Sequence, residues 1–273
     1  MPEPCYIPSK MLIHCADVMQ TDQNATAFGI HAKLESIDRQ FIVQPAFEKV
    51  YADAAMIKRG YRQSENVEVL KGHGRFTGPK ILAAAGFDEE LTAETIHIAA
   101  GTLPWLPDIP GLDQSPYLTF DEALGLPEQP KRLSVIGGGY IAAQSPHFFG
   151  ALGTEVNIIH RRGQMRREED NDVARRFTKV YQRRFNMILD AQVKRVPAQG
   201  EEITVEVTTP DGKRSIPSDA LLMATGRVPN TDILEVAHTS EALNQRGYIN
   251  TDKYLQASIQ GIWVQAILWG PTC

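Results

Sequence analysis

A chain of 273 residues with 42% hydrophobic composition can bury one large core or two moderate ones, and two domains are expected. A formal net charge of -5 and a pI near 5.8 give no global attraction to nucleic acid or to an anionic membrane. No apolar run approaches the ~20 residues that span a bilayer, and residues 1–10 lack the basic and apolar regions of a secretory signal. The expectation is a cytoplasmic protein with neither nucleic acid nor membrane as partner.

Cys5, Cys15 and Cys273 form no C-x-x-C and leave an odd thiol under any pairing, so no disulfide framework is expected. The seven histidines are scattered without zinc-ligand spacing, and no metal site is expected.

In chain order, Ser9 can cap a helix running to about Met19, because Met11, Leu12, Cys15, Ala16 and Met19 recur on one helical face. Residues 47–62 form a second, moderately amphipathic helix, with Gly60 as its stop signal. From Asn66 the texture turns to short strands: Val67 and Val69 alternate with charged residues, and residues 81–84 and 95–99 read as further strands. Pro104, Pro107, Pro110, Pro127 and Pro130 disfavour continuous helix or central strand across residues 101–130 and mark a candidate interdomain connection. Beyond it come a strand at 133–136, a glycine turn, a helix from Tyr140 to about Leu152 and a strand at 155–159, together a βαβ unit. A helix at 171–184, a hairpin turning at Pro210-Asp211-Gly212 and a buried strand at 220–224 complete this region.

The turn Gly137-Gly138-Gly139-Tyr140-Ile141-Ala142 fits G-x-G-x-x-A where a strand ends and a helix begins. Gly137 permits the tight turn, Gly139 admits a pyrophosphate to the backbone, and Ala142 lets helix and strand pack closely. The amides opening the helix face the phosphate anion. Glycine-rich turns that bind nothing also occur in α/β proteins, so the βαβ context carries the assignment. At the end of the second strand an acid would favour NAD, but the sequence has His160-Arg161-Arg162, followed by Arg166 and Arg167. Guanidinium groups favour the 2′-phosphate of NADPH. A solvated basic face is the alternative, since Glu168, Glu169, Asp170 and Asp172 neutralise much of the run.

Several ordered segments resemble the flavoprotein disulfide reductases, the class I pyridine nucleotide-disulfide oxidoreductases, and most of all their mycothione reductase branch. Tyr6-Ile7-Pro8-Ser9-Lys10 is similar to the end of the redox motif C-x-x-x-x-C-x-P-[ST]-K. Residues 96–102 resemble the strand and turn closing the first FAD segment, and Ala224-Thr225-Gly226-Arg227-Val228-Pro229-Asn230 resembles the second such turn. Residues 72–80 and 137–152 are similar to the mycothione reductase branch. The resemblance implies an α/β fold of two Rossmann-like FAD- and NAD(P)-binding domains. Residues 112–225 would be the NAD(P) domain, inserted between partial FAD segments at 1–111 and 226–273. It implies that NADPH reduces FAD, which reduces a cysteine pair, which reduces a disulfide substrate. Carried over by position, Gly137, Gly139 and Ala142 serve the NADPH pyrophosphate, and Arg161 and Arg166 its 2′-phosphate. His160 stands where several relatives carry arginine. Gly226 lies near the nicotinamide nucleotide and Arg227 beside FAD. Lys10 approaches the flavin, and Ala100 and Gly101 line the FAD domain.

The chain departs from the pattern. Tyr6 and Met1 stand where the two redox cysteines belong, and Cys5 is displaced by one residue. The chain begins after the first FAD strand and glycine turn. Ala266 and Ile267 replace a G-D pair that contacts flavin. The C-terminal interface domain, with its dimer contacts and His-Glu pair, is expected to be missing. Gln144 replaces a usual glutamate, and Pro146 in the same helix predicts a kink or shortening. The expectation is an impaired or inactive oxidoreductase of this family with no catalytic residue assigned. The alternatives are a non-catalytic NADPH-binding module and an unstable gene fragment. Surfaces that relatives cover with FAD and the interface domain are expected to be exposed and apolar.

Overall fold

A computed structural model describes residues 6–199 and 202–265. The elements in chain order begin with α1 (Tyr6–Gln23) and α2 (Arg39–Gln63). Strands β1 (Gly74–Gly78), β2 (Ile81–Ala84), β3 (Leu91–Thr92), β4 (Ile96–Ile98), β5 (Thr102–Pro104) and β6 (Tyr117–Leu118) follow. Next come α3 (Phe120–Leu124), β7 (Arg132–Gly137), α4 (Tyr140–Ala151), β8 (Glu155–Ile159), α5 (Asn171–Gln182), β9 (Asn186–Ile188), β10 (Gln192–Arg195) and β11 (Ala198–Gln199). The chain continues through β12 (Glu202–Thr209), β13 (Gly212–Ser218), β14 (Ala220–Ala224), β15 (Arg227–Pro229) and β16 (Ile262–Val264).

The chain divides into two compact units, residues 1–57 with 106–226, and residues 58–105 with 227–273. The expected segments 1–111, 112–225 and 226–273 cut the chain differently at its start. Residues 1–57 cluster with the βαβ region because α1 packs along α4, with Leu12 and Ala16 fully buried in the same core as Phe148 and Phe149.

Unit 1 is built on a five-stranded parallel sheet of order β6-β14-β7-β8-β9. Period-two alternation sends side chains to two cores. Leu133, Val135, Val156, Ile158, Ala220, Leu222 and Ala224 face the helices. Ile136, Ile159, Leu221 and Met223 join Val196, Ile203, Val205 and Val207 on the other side. The latter residues come from or adjoin the antiparallel sheet of β10, β12, β11 and β13. Unit 2 contains the meander β1-β2-β3, the antiparallel pair β5-β15 and the parallel pair β4-β16. Phe76, Ile96, Ile98, Val236, Ile249, Ile262 and Val264 form its core.

Several expectations are corrected. The first helix starts at Tyr6, so Ser9 is a buried residue inside it and not its cap. The second begins at Arg39, because Asp38 Oδ1 accepts the Phe41 N–H at 2.9 Å and Ile42, Val43 and Phe47 pack on the unit 1 core. It runs through Gly60 to Gln63. Val67 and Val69 lie outside any strand and are exposed. The proline-rich stretch 101–130 is more than a connection: it contributes β5, β6 and α3, and β6 forms an edge of the parallel sheet. The α3 start is held by a capping box between Thr119 and Glu122. Pro146 does not shorten α4, which continues to Ala151 with Phe148 and Phe149 anchoring the following turn in the core. Burial outweighs the one lost hydrogen bond. Residues Met1, Cys5, Ala266, Ile267 and Cys273 lie outside the described residues. Cys15 is a free thiol. No group of histidine, cysteine and carboxylate residues suited to a metal occurs among the described residues. No described helix is long and apolar enough to cross a membrane. Large apolar side chains are exposed at Phe28, Phe41, Met56, Tyr61 and Tyr254.

Candidate nucleotide-binding site

Strand β7 is buried along almost its whole length and lies between β14 and β8, so its C-terminal end emerges at the centre of a parallel sheet. Crevices at the carboxyl ends of such strands are where α/β proteins bind ligands. Gly137 turns the chain out of the strand at φ 146°, and a Cβ there would overlap the Ala224 carbonyl of neighbouring β14. Gly138 is pressed against the His160 ring, which a Cβ would enter. Gly139 is different: no atom lies within 4 Å of where its Cβ would be. It is the N-cap of α4, and no side chain caps the helix. The first-turn amides, beginning with those of Tyr140, Ile141 and Ala142, are thus left to an outside acceptor. Ala142 is fully buried in the helix-side core, where a larger side chain would push α4 off the sheet. Open space above Gly139, uncapped amides and a helix seated close to its strand fit a diphosphate.

His160 directly follows β8, its N–H donating to Ile188 O at 2.9 Å and its carbonyl accepting from Ala191 N at 3.0 Å. Burial pushes the imidazole pKa below its ordinary value of 6.5, and the charges of Arg161 and Arg162 push it the same way. The ring is therefore neutral at pH 7 and acts as a wall behind the glycine turn.

Arg161, Arg162, Gly163, Gln164, Arg167 and Asp190 line an open pocket of about 560 Å³ beside this wall. Arg161, Arg162 and Arg167 are exposed. Arg166 is not part of this pocket's lining. Its side chain is only 6% exposed, and it pairs with Glu169 at 2.5 Å and Glu168 at 3.5 Å. It also lies over the Tyr140 ring, 3.2 Å from the centroid. Tyr140 is itself exposed, and its hydroxyl donates to Glu169 at 2.8 Å. The acids near the arginine run signalled this neutralisation in the sequence, but only the fold shows that it falls on Arg166.

Gly226 follows β14 at φ 140° and belongs to unit 1. Lys10 is exposed on α1. In unit 2, Ala100, Gly101 and Arg227 are brought together. Arg227 donates to Thr102 Oγ1 and to Thr102 O, both at 2.5 Å. The Asn230 side chain donates to Ala100 O at 2.8 Å, and its backbone N–H to Gly101 O at 3.2 Å. The two motif turns of this unit are thus tied to each other through β5-β15.

A family model described as pyridine nucleotide-disulphide oxidoreductase matches residues 7–265. The chain is 29% identical over 262 residues to mycothione reductase of Mycobacterium tuberculosis, covering 94% of this chain and 56% of that protein. It is 30% identical over 261 residues to glutathione reductase of Burkholderia cepacia, again covering 94% and 56%. Among solved structures it is similar to the HOCl-induced flavoprotein disulfide reductase of Escherichia coli, with a TM-score of 0.79, 26% identity, and coverage of 96% of this chain and 56% of that one. The chain therefore spans little more than half the length of these relatives. The family uses FAD and NAD(P)H. Its match over almost the whole described chain makes this protein a member of the pyridine nucleotide-disulphide oxidoreductases.

Proposed function

We propose that this chain binds NADPH through unit 1 and belongs to a cytoplasmic, mycothione-reductase-like branch of the family, but carries no dithiol relay of its own. The observation that supports nucleotide binding most is the glycine turn, walled by Ala224 and His160 and open only above Gly139. Amides at the start of α4 would hold the diphosphate, and Arg161, Arg162 and Arg167 would meet the adenosine 2′-phosphate. When bound, NADPH supplies a hydride. The residues here bind and orient it.

Two observations argue against disulfide exchange at α1. Tyr6 occupies the place of the second redox cysteine, and a phenol forms no mixed disulfide. Burial pushes the Cys15 thiol pKa up, which lowers the fraction present as the reactive thiolate. These same observations favour the second reading, a non-catalytic NADPH-binding module. Residues 137–142 are the one glycine turn among the described residues that leaves a parallel strand and opens a helix, and the described residues show no second such turn to hold the diphosphate of FAD.

Thermal melting of the purified chain with NADPH, NADH and no addition tests the reading. Coenzyme at about 100 times its Kd should add about 2.7 kcal/mol of stability. The reading predicts a larger rise with NADPH than with NADH. An absorption spectrum of the same sample separates the oxidoreductase from the non-catalytic module, the first being yellow and the second colourless. A cooperative transition that neither coenzyme moves rejects both, and insoluble or molten protein points to an unstable fragment.

A further inference from the structure

The loop after β8 contains four arginines, yet one is held apart from the others. One Glu169 oxygen, Oε1, accepts both the Tyr140 hydroxyl at 2.8 Å and an Arg166 guanidinium N–H at 2.5 Å. Glu168 approaches the guanidinium's other terminal nitrogen at 3.5 Å. The Tyr140 ring covers the guanidinium face. At the same time the Arg166 backbone N–H donates to Gly138 O at 2.9 Å, so the clamp is anchored on the phosphate-binding turn itself. Arg166 reaches this position only with φ 56°, a left-handed conformation that favours glycine and that surrounding contacts must hold.

Resting on the nucleotide site argued above, we propose that Glu169 is the positioning residue that sets coenzyme choice, by withholding Arg166 from the adenosine 2′-phosphate and pinning Tyr140 at the mouth of the turn. A guanidinium already paired with two carboxylates has little left to offer a phosphate, and the phosphate would have to displace Glu169 to reach it. Discrimination between NADPH and NADH then falls to the exposed Arg161, Arg162 and Arg167, whose charges solvent screens. The chain consequently prefers NADPH by less than four arginines would give. Glu169 touches no coenzyme atom in this scheme; it acts through Arg166.

Calorimetric titration of the full chain and its E169Q variant with NADPH and with NADH tests this. Glutamine keeps the shape and removes the charge, so Glu168 is left as the only carboxylate facing Arg166. The ratio of the NADPH to the NADH association constant should rise about tenfold, the effect of one additional charge-assisted hydrogen bond. E169D, which retains the charge, should bring the ratio back toward that of the unaltered chain. A purely structural role for Glu169 would weaken both coenzymes together and leave the ratio unmoved. If E169Q loses its cooperative melt, Y140F takes its place: it keeps the ring, deletes the hydroxyl that holds Glu169, and should shift the ratio in the same direction by less. A ratio that falls, or stays within about twofold of the unaltered chain while both coenzymes bind, overturns the proposal. Failure of the unaltered chain to bind either coenzyme is a distinct result, which removes the nucleotide site itself and this proposal with it.

Discussion

The His160 imidazole lies against Gly138 so closely that a single methyl group added to the glycine would enter the ring. This contact joins the end of β8 to the turn after β7, the two places where the parallel sheet would read the coenzyme. It also makes the middle glycine of the turn a packing residue, in contrast to Gly139, whose space is open.

The contact gives a coupled pair of substitutions. G138A should destabilise the chain by about 1–3 kcal/mol, the ordinary range for overpacking a filled site. In an H160A background the added methyl meets no ring, so most of that loss should disappear. Denaturant unfolding of the two single variants and the double variant measures the coupling. Additive losses would mean that the ring and the turn do not compete for the same volume.

His160 also predicts a pH dependence. Burial holds its folded pKa below the ordinary 6.5, so the unfolded chain binds a proton that the folded one rejects. This group's contribution is therefore complete above pH 6.5 and is lost as the pH falls through the lowered folded value. In H160Q that part of the acid-side decline should vanish. Melting temperatures measured from pH 7.5 downward compare the slopes, and parallel curves would show that the imidazole stays as accessible to protons as in the unfolded chain.

Legibility followed the kind of interaction involved. Strands β8 and β14 and the start of α4 are readable because short, mostly apolar runs and a glycine turn encode a buried parallel βαβ unit locally. The early start of α2 was not, since Ile42, Val43 and Phe47 make sense only once the core they touch is known. Val67 and Val69 alternate like a strand, but alternation specifies only that one face can be buried, and neither valine joins a strand. In the candidate site, the roles of Gly137, Gly139 and Ala142 could be argued from the motif. The diversion of Arg166 to Tyr140 and Glu169 could not, because three residues within one loop and one helix start meet only through the left-handed backbone at Arg166.

Where β7 of the parallel sheet meets β13 of the antiparallel sheet, Ser134 Oγ and Ser218 Oγ lie 2.5 Å apart, with both residues fully buried. Removing one partner leaves the other without its hydrogen bond in a dry setting. S134A should cost about 1–3 kcal/mol. The S134A/S218A double variant replaces both polar groups with apolar ones and should recover much of that loss. Unfolding free energies of the three variants decide it; a double variant less stable than S134A by the full S218A increment would assign the serines no mutual contact.

The last prediction separates folding from binding at one position. Gly139 has φ -87°, which any residue adopts, and nothing within 4 Å of a Cβ, so G139A requires no movement of the protein. Alanine is also a poorer N-cap than glycine, by about 1 kcal/mol at most. The melting temperature of G139A without coenzyme should therefore stay close to that of the unaltered chain. The new methyl group occupies the space through which a diphosphate would reach the α4 amides, and those amides lose their hydrogen bonds to it if it is forced outward. NADPH affinity should fall at least about tenfold, since the loss of one charge-assisted hydrogen bond amounts to that factor. NADH should weaken by the same factor, because the diphosphate is common to both coenzymes. Titration of G139A with each coenzyme, beside melting curves of the free protein, gives the two readouts independently. Unchanged affinity on an intact fold would mean that the diphosphate does not pass over Gly139, and the space above it would then need another explanation.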